Sequence, residues 1–185
     1  MDAKPEDTRP LPWPIFIIDF EASSLTAGSY PIEVGVCRWT SPAQTIEGCS
    51  TLIKPTPEWS KDGTWWSSSQ EIHGIGAAEL RGGLDPSSTI DALNDIIGEN
   101  IAFCDGGAHD LRWLQPLVNA SALQPTWALG DFNHLALRLD QLGYMRLVRW
   151  LDRSPCRHRA RDDAERLMKA IARRLKLEHG TSRDI

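Results

Sequence analysis

Ile15-Phe16-Ile17-Ile18-Asp19-Phe20-Glu21-Ala22-Ser23-Ser24-Leu25 sets four apolar residues directly before two carboxylates one residue apart. A short β-branched apolar run reads as a buried central strand, and alternate side chains along a strand share a face. Asp19 and Glu21 therefore point the same way. Two like charges held at the end of a buried strand cost free energy unless a proton or a cation offsets them, so the pair asks for a metal. A solvated strand end is the competing reading of Asp-x-Glu in a chain with 25 acidic residues. Further carboxylates and a base elsewhere in the chain decide between the two.

The chain has 185 residues and 41% hydrophobic content, enough to bury one core without disulfides. We read residues 1–14, with Pro5, Pro10, Pro12 and Pro14, as an extended or disordered lead-in, residues 15–178 as a single domain and 179–185 as a tail. No basic stretch followed by an apolar run opens the chain and no segment reaches bilayer length, so a soluble, cytoplasmic protein with no membrane partner is expected. Cys37, Cys49, Cys104 and Cys156 form no Cys-x-x-Cys pair and read as buried thiols.

The net charge of -5 argues against holding nucleic acid by bulk electrostatics. The charge is uneven, however. Residues 141–185 carry 12 Lys and Arg against 6 Asp and Glu, and the rest carries 8 against 19. This basic end fits a phosphate-bearing partner and fits a solvated helix face equally well.

After the first strand, Ile32–Trp39 and Thr45–Ile53 alternate as a hairpin beside it. Lys54–Gly83, with Trp59, Trp65 and Trp66, reads as a long irregular excursion. Ser87–Ile97 reads as a helix, Ile101–Cys104 as a buried strand and Asp105-Gly106-Gly107 as a turn. From Asp110 the spacing of Trp113, Leu114 and Leu117 is helical, so Asp110 opens a core-facing stripe, an unusual place for a charge; Pro116 is expected to kink or end that helix early. Ala128–Phe132 follows as a strand and Asn133–Leu142 as a helix ending at Gly143. A last helix from about Arg159 to Leu177 carries Ala160, Ala164, Leu167, Met168, Ile171 and Leu175 on one stripe. Asp163 sits on its flank and Asp162 opposite it, so only Asp163 looks back to the strands. The fold class is α/β: a mixed central sheet flanked by helices.

Asp19, Glu21, Asp110 and Asp163 thus have a claim on one site. Oxygen-only clusters suit Mg2+ or Mn2+, and two such ions can clamp the oxygens of an in-line phosphoryl displacement. His158 lies five residues before Asp163, about 140° round a helix, so it belongs to the loop before that helix. There an imidazole can accept a proton from an attacking water.

Asp19-Phe20-Glu21, then Asp110 in His109-Asp110-Leu111-Arg112-Trp113-Leu114, then His158-x-Ala160-x-x-Asp163, resemble the three ordered motifs of the DEDDh 3'-to-5' exonucleases, in the DnaQ-like and ribonuclease T-like superfamily. The resemblance spans about residues 15–175. It implies a ribonuclease H-like fold and an enzyme with two Mg2+ or Mn2+ ions that cleaves nucleoside 5'-monophosphates from single-stranded DNA or RNA 3' ends. By the same resemblance, Asp19, Glu21 and Asp163 hold one ion, Asp19 and Asp110 the other, and His158 is the general base.

The resemblance also places Leu25, after Ala22-Ser23-Ser24, against the terminal base; a loop residue plugging the core is the other reading. Ile72-His73-Gly74-Ile75 resembles the loop lining the 3' nucleotide pocket, with His73 a contact. Trp65 and Trp66 are stacking surfaces or core anchors. Ala22 stands where the family often has Thr, and Asp105-Gly106 where many members have His-Asn, so Asp110 must be supported differently; Asp105 is a fifth carboxylate near the site or a turn cap. A nuclease-like module that binds without cutting, and a metal-dependent phosphohydrolase of small nucleotides, are the alternatives. The reading allows a homodimer.

Overall fold

Residues 15–22 form strand β1 (Ile15–Ala22), which lies at the centre of a five-stranded sheet in this computed structural model. The structure describes residues 9–180; the first eight residues of the expected lead-in and residues 181–185 of the expected tail lie outside them. On one side of β1 run β2 (Pro31–Trp39) and β3 (Glu47–Leu52), both pairings antiparallel; on the other run β4 (Ile101–Cys104) and β5 (Ala128–Asp131), both parallel. The order is β3-β2-β1-β4-β5. The expected hairpin is therefore β2–β3, and the sheet is mixed.

The period-two pattern of β1 divides the core. Phe16, Ile18 and Phe20 face a layer containing α3 (Pro86–Ile97) and α4 (Ala108–Ser121), where they meet Ile90, Leu93, Ile97, Leu114 and Leu117. Ile15 and Ile17 face the opposite layer, where α7 (Ala160–Gly180) contributes Ala164, Leu167, Met168 and Ile171. Asp19 and Glu21 share the parity of Ile15 and Ile17, so they emerge on the α7 side. In register, Asp19 stands opposite Gly35, and Glu21 opposite Glu33.

Gly35 is what lets α7 come close. A Cβ there would lie 2.2 Å from the Arg161 nitrogen and 2.3 Å from the Ala160 carbonyl carbon, inside the helix backbone. The first turn of α7 thus rests directly on β2.

The structure differs from the sequence reading in several places, and of the four thiols read as buried, Cys49 and Cys156 are exposed. The Lys54–Gly83 excursion contains α1 (Pro57–Asp62), α2 (Ser67–His73) and a 3-10 turn at Glu79–Gly82. These elements are too short for a 3.6-residue period to show, but Thr56 accepts from the Trp59 N–H at the start of α1, with Pro57 in the first helical position. Pro116 does not end α4, which runs on to Ser121 because Leu117 and Val118 beyond it are buried. The expected 133–142 helix is only α5 (Phe132–Ala136), and Gly143 closes nothing. Gly143 lies instead in the first turn of α6 (Gln141–Leu151), a helix the sequence reading missed, whose N-cap Asp140 accepts from the Gly143 N–H.

Within the lead-in, Trp13 packs edge-on against Trp39 with ring centroids 5.0 Å apart, and the Pro10 carbonyl accepts from Arg138. No helix among the described residues is long and apolar enough to cross a membrane.

Candidate active site

Four segments far apart in sequence meet in one cleft of about 370 Å³ beside the C-terminal end of β1. Its lining includes Asp19, Glu21, Ala22 and Leu25 from β1 and its following loop, His73 from α2, Asp110 from α4, and His158 and Asp163 from the start of α7 and the loop before it. Of the residues singled out from sequence, all but Trp65 and Trp66 therefore come together. Trp66 is not among the lining residues. It precedes α2, its backbone N–H donates to the Ser23 carbonyl at 2.9 Å, and its side chain is exposed.

The carboxylates crowd one another. One oxygen each from Asp19, Glu21 and Asp163 lie within 4.8 Å of one another, and Asp110, third in α4, is 1% exposed. Burial, then the charges of Asp110 and Glu21, push the Asp19 carboxyl well above the usual carboxylate range. Burial, then Asp163 and Glu33, push Glu21 up to about 8, with Arg159 opposing. Burial pushes Asp110 up to about 6, while the Cys104 thiol and the Gly106 N–H favour its ionised form. A bound cation relieves each of these costs at once.

Gly106 explains how Asp110 is held without the expected Asn side chain. A Cβ at 106 would lie 2.6 Å from Asp110 Oδ2, so the bare backbone is what leaves room for the carboxylate. That oxygen is buried with no hydrogen-bond partner among the described residues. The donor set, oxygen-only and with one buried oxygen lacking a partner among the described residues, fits a hard divalent ion.

The loop carrying His158 is pinned from two directions. Asp163 Oδ1 accepts the Arg157 N–H at 3.1 Å, and Glu33, 2% exposed on β2, accepts from Arg159 Nε at 3.0 Å, Arg159 Nη2 at 2.8 Å and the Ala160 N–H at 3.0 Å. Between these anchors His158 adopts a left-handed backbone, φ 52°, that turns the chain into α7. Such a conformation is uncommon for a residue with a side chain and persists where the surroundings fix it.

On the opposite wall α2 ends at Gly74, whose φ of 71° makes the left-handed cap. His73 Nδ1 accepts the Ile75 N–H at 3.0 Å, so the proton of the neutral ring sits on Nε2, which is buried without a partner among the described residues. Burial lowers the His73 pKa and keeps the ring neutral. Leu25 is 58% exposed at the cleft, not plugged into the core, and Ile72 is 56% exposed beside it. Trp65 lies edge-on to the His73 ring, with centroids 6.3 Å apart.

The fold matches that of solved structures. A full-length 3'-exonuclease superimposes with TM-score 0.64 at 17% identity, over 90% of this chain and 62% of that one. Cell-death related nuclease 4 gives 0.64 at 16%, over 88% and 64%. A 3'-exonuclease described in 3'-end recognition of a histone mRNA stem-loop gives 0.63 at 17%, over 89% and 83%. The fold is ribonuclease H-like. A zinc-bound E. coli ExoI–ssDNA complex shares it, with TM-score 0.58 at 17% identity over 92% of this chain and 41% of that one. This chain spans less than two thirds of the length of the first two. No protein-family model matches the sequence, and neither does any curated protein.

Within this ribonuclease H-like frame the sequence reading missed several cleft residues. Ser69, His109, Trp113, Cys156 and Arg166 also line it; Asp105, read from sequence as a fifth carboxylate near the site or a turn cap, lines it as well. Arg166 lies one helical turn beyond Asp163 and is tied to the same loop through Ser154 Oγ at 2.8 Å and the Leu151 carbonyl at 2.7 Å. Its i+3 spacing from Asp163 is the signal that could have found it. Cys156 had no such signal, because a loop carries no period.

Proposed function

We propose that the chain is a divalent-metal-dependent 3'-to-5' exonuclease of the DEDDh type that hydrolyses the terminal phosphodiester bond of single-stranded DNA or RNA and releases nucleoside 5'-monophosphates. The observation that carries this reading is the meeting of Asp19, Glu21, Asp110 and Asp163 with His158 in one cleft. The solved nucleases that share the fold add to it.

In this reading Asp19, Glu21 and Asp163 hold one Mg2+ or Mn2+ ion, and Asp19 and Asp110 hold a second. When bound, such ions act as Lewis acids on the phosphate and offset charge on the attacking and leaving oxygens. The work of the chain itself is positional. The anchors at Glu33 and Asp163 keep the His158 loop at the cleft edge, where the imidazole takes a proton from the attacking water. Leu25 and Ile72 offer apolar surface to the terminal base, beside Ala22 at the end of β1, and His73 Nε2–H is a buried donor ready for a polar group of the last nucleotide. Trp66 stands outside the cleft as a stacking surface for a base farther along the strand.

Incubation of the purified chain with Mn2+ and 5'-labelled single-stranded DNA and RNA oligonucleotides, with free or blocked 3' ends, tests this reading. The expected result is stepwise shortening from the free 3' end with release of mononucleotides, and protection by the block. Oligonucleotides left intact would sink the proposal, and binding without shortening would favour a non-cutting module.

A further inference from the structure

The cleft also holds a second set of metal-ligating atoms that the proposed hydrolysis does not use together. Cys156 Sγ, a ring nitrogen of His158 and a carboxylate oxygen of Asp163 lie within 4.8 Å of one another, with Sγ 3.8 Å from His158 Nδ1. Its chemistry differs from that of the neighbouring set. Asp19, Glu21 and Asp163 offer only hard oxygens, whereas a thiolate with an imidazole selects Zn2+ over Mg2+ or Mn2+. The two sets share Asp163.

The geometry is close to what a tetrahedral ion requires. Zinc bonds of about 2.0 to 2.3 Å put ligand atoms roughly 3.5 Å apart, so the trio needs to close by about 1 Å at its widest. The closing falls to the side chains of Cys156 and His158, since the loop backbone is anchored on either side of His158. Cys156 and His158 are exposed on the loop between α6 and α7, while Asp163 is buried in the first turn of α7.

We propose that Cys156, His158 and Asp163 form an inhibitory Zn2+ site. As the zinc–sulfur bond forms, the thiol proton leaves to solvent, and a water or phosphate oxygen takes the fourth position. The same event withdraws the imidazole and one carboxylate of the oxygen set. Which metal arrives therefore decides which set is assembled. The inhibitory consequence rests on the exonuclease reading; the binding does not.

Co2+, which accepts the same ligands and reports a bound thiolate by charge-transfer absorption in the near ultraviolet, is the probe. Titrated into the full chain, it should give that absorption, and Zn2+ should bleach it. Cys49→Ser, at the other exposed thiol, should keep the band, and Cys156→Ser and Cys156→Ala should both lose it. In oligonucleotide assays with excess Mg2+, the Zn2+ concentration for half-inhibition should rise at least about tenfold in Cys156→Ser, the loss of a direct ligand costing no less than that of a supporting one. A band that survives both Cys156 substitutions, or an inhibition midpoint equal in wild type and Cys156→Ser, overturns the proposal. A chain that binds Co2+ through Cys156 yet shortens no oligonucleotide upholds the site and overturns the exonuclease reading alone.

Discussion

Glu33 on β2 and Arg159 just before α7 form a two-pronged ion pair, Nε to Oε2 at 3.0 Å and Nη2 to Oε1 at 2.8 Å, with the carboxylate buried and the guanidinium half-exposed. Oε2 also takes the Ala160 N–H, one of the unpaired donors at the helix start. One acidic side chain therefore fixes both the beginning of α7 and the residue after His158. Glu33→Gln should lower the unfolding free energy by about 1–3 kcal/mol, the range for hydrogen bonds to charged groups. Amide exchange at Ala160 should speed up, and kcat should fall more than KM rises. Unchanged exchange at Ala160 would show that the loop is held by other contacts.

Gly35 should tolerate no side chain. Gly35→Ala puts a methyl into the backbone of Ala160 and Arg161, and overpacking of this kind costs about 1–3 kcal/mol. The strand cannot yield without breaking its pairing with β1, so α7 must retreat and carry Asp163 away from Asp19 and Glu21. Chemical denaturation and Mn2+ titration by calorimetry check this: both stability and metal affinity should fall. Loss of stability alone would mean that the helix shifts without disturbing the carboxylates.

Asp19→Asn should abolish nuclease activity by removing the ligand shared by both proposed ions, and His158→Ala should lower kcat by about 10²–10⁴-fold, the usual contribution of a positioned base. Metal binding should separate the two variants. Mn2+ affinity should drop in Asp19→Asn and stay near wild type in His158→Ala. Turnover retained in Asp19→Asn would exclude its role as a ligand.

The Glu21 carboxyl gives the metal-free chain a pH dependence of definite sign. Its folded pKa, raised to about 8 by burial and by Asp163 and Glu33, lies above the unfolded value of about 4.3. Its contribution to stability is complete below the unfolded value and is lost as pH rises through the folded one. Glu21→Gln removes this loss. In EDTA the variant should therefore gain stability relative to wild type as pH rises from about 5 to about 8. Urea denaturation of both proteins along that series measures the difference, and a gap that stays constant with pH would overturn the assignment. Mn2+ should stabilise wild type more at the alkaline end, because there it meets ionised ligands.

Periodicity carried the sequence reading as far as elements are long or buried. β1, β2, β4, α3 and α7 were legible because each repeats an apolar spacing, and Asp110 and Asp163 stood out as charges at or beside apolar stripes. The reading failed where capping rather than period sets the element. Gly143 looked like a helix terminator, but Asp140 makes it part of a helix start. Pro116 looked like a breaker, but burial of Leu117 and Val118 outweighs one lost backbone bond.

By itself the sequence determined the sheet-and-helix layering and the same-face placement of Asp19 and Glu21, because the two-residue repeat of a strand and the 3.6-residue repeat of a helix are local properties. Only the tertiary structure decided how closely these groups meet. The approach of α7 to β2 depends on the missing side chain at Gly35, the room for the Asp110 carboxylate on the missing side chain at Gly106, and the placing of His158 on Glu33, 126 residues from its partner Arg159. Contacts between residues so far apart in the chain leave no repeat within it, and Cys156, brought beside His158 and Asp163 by a loop, left none either.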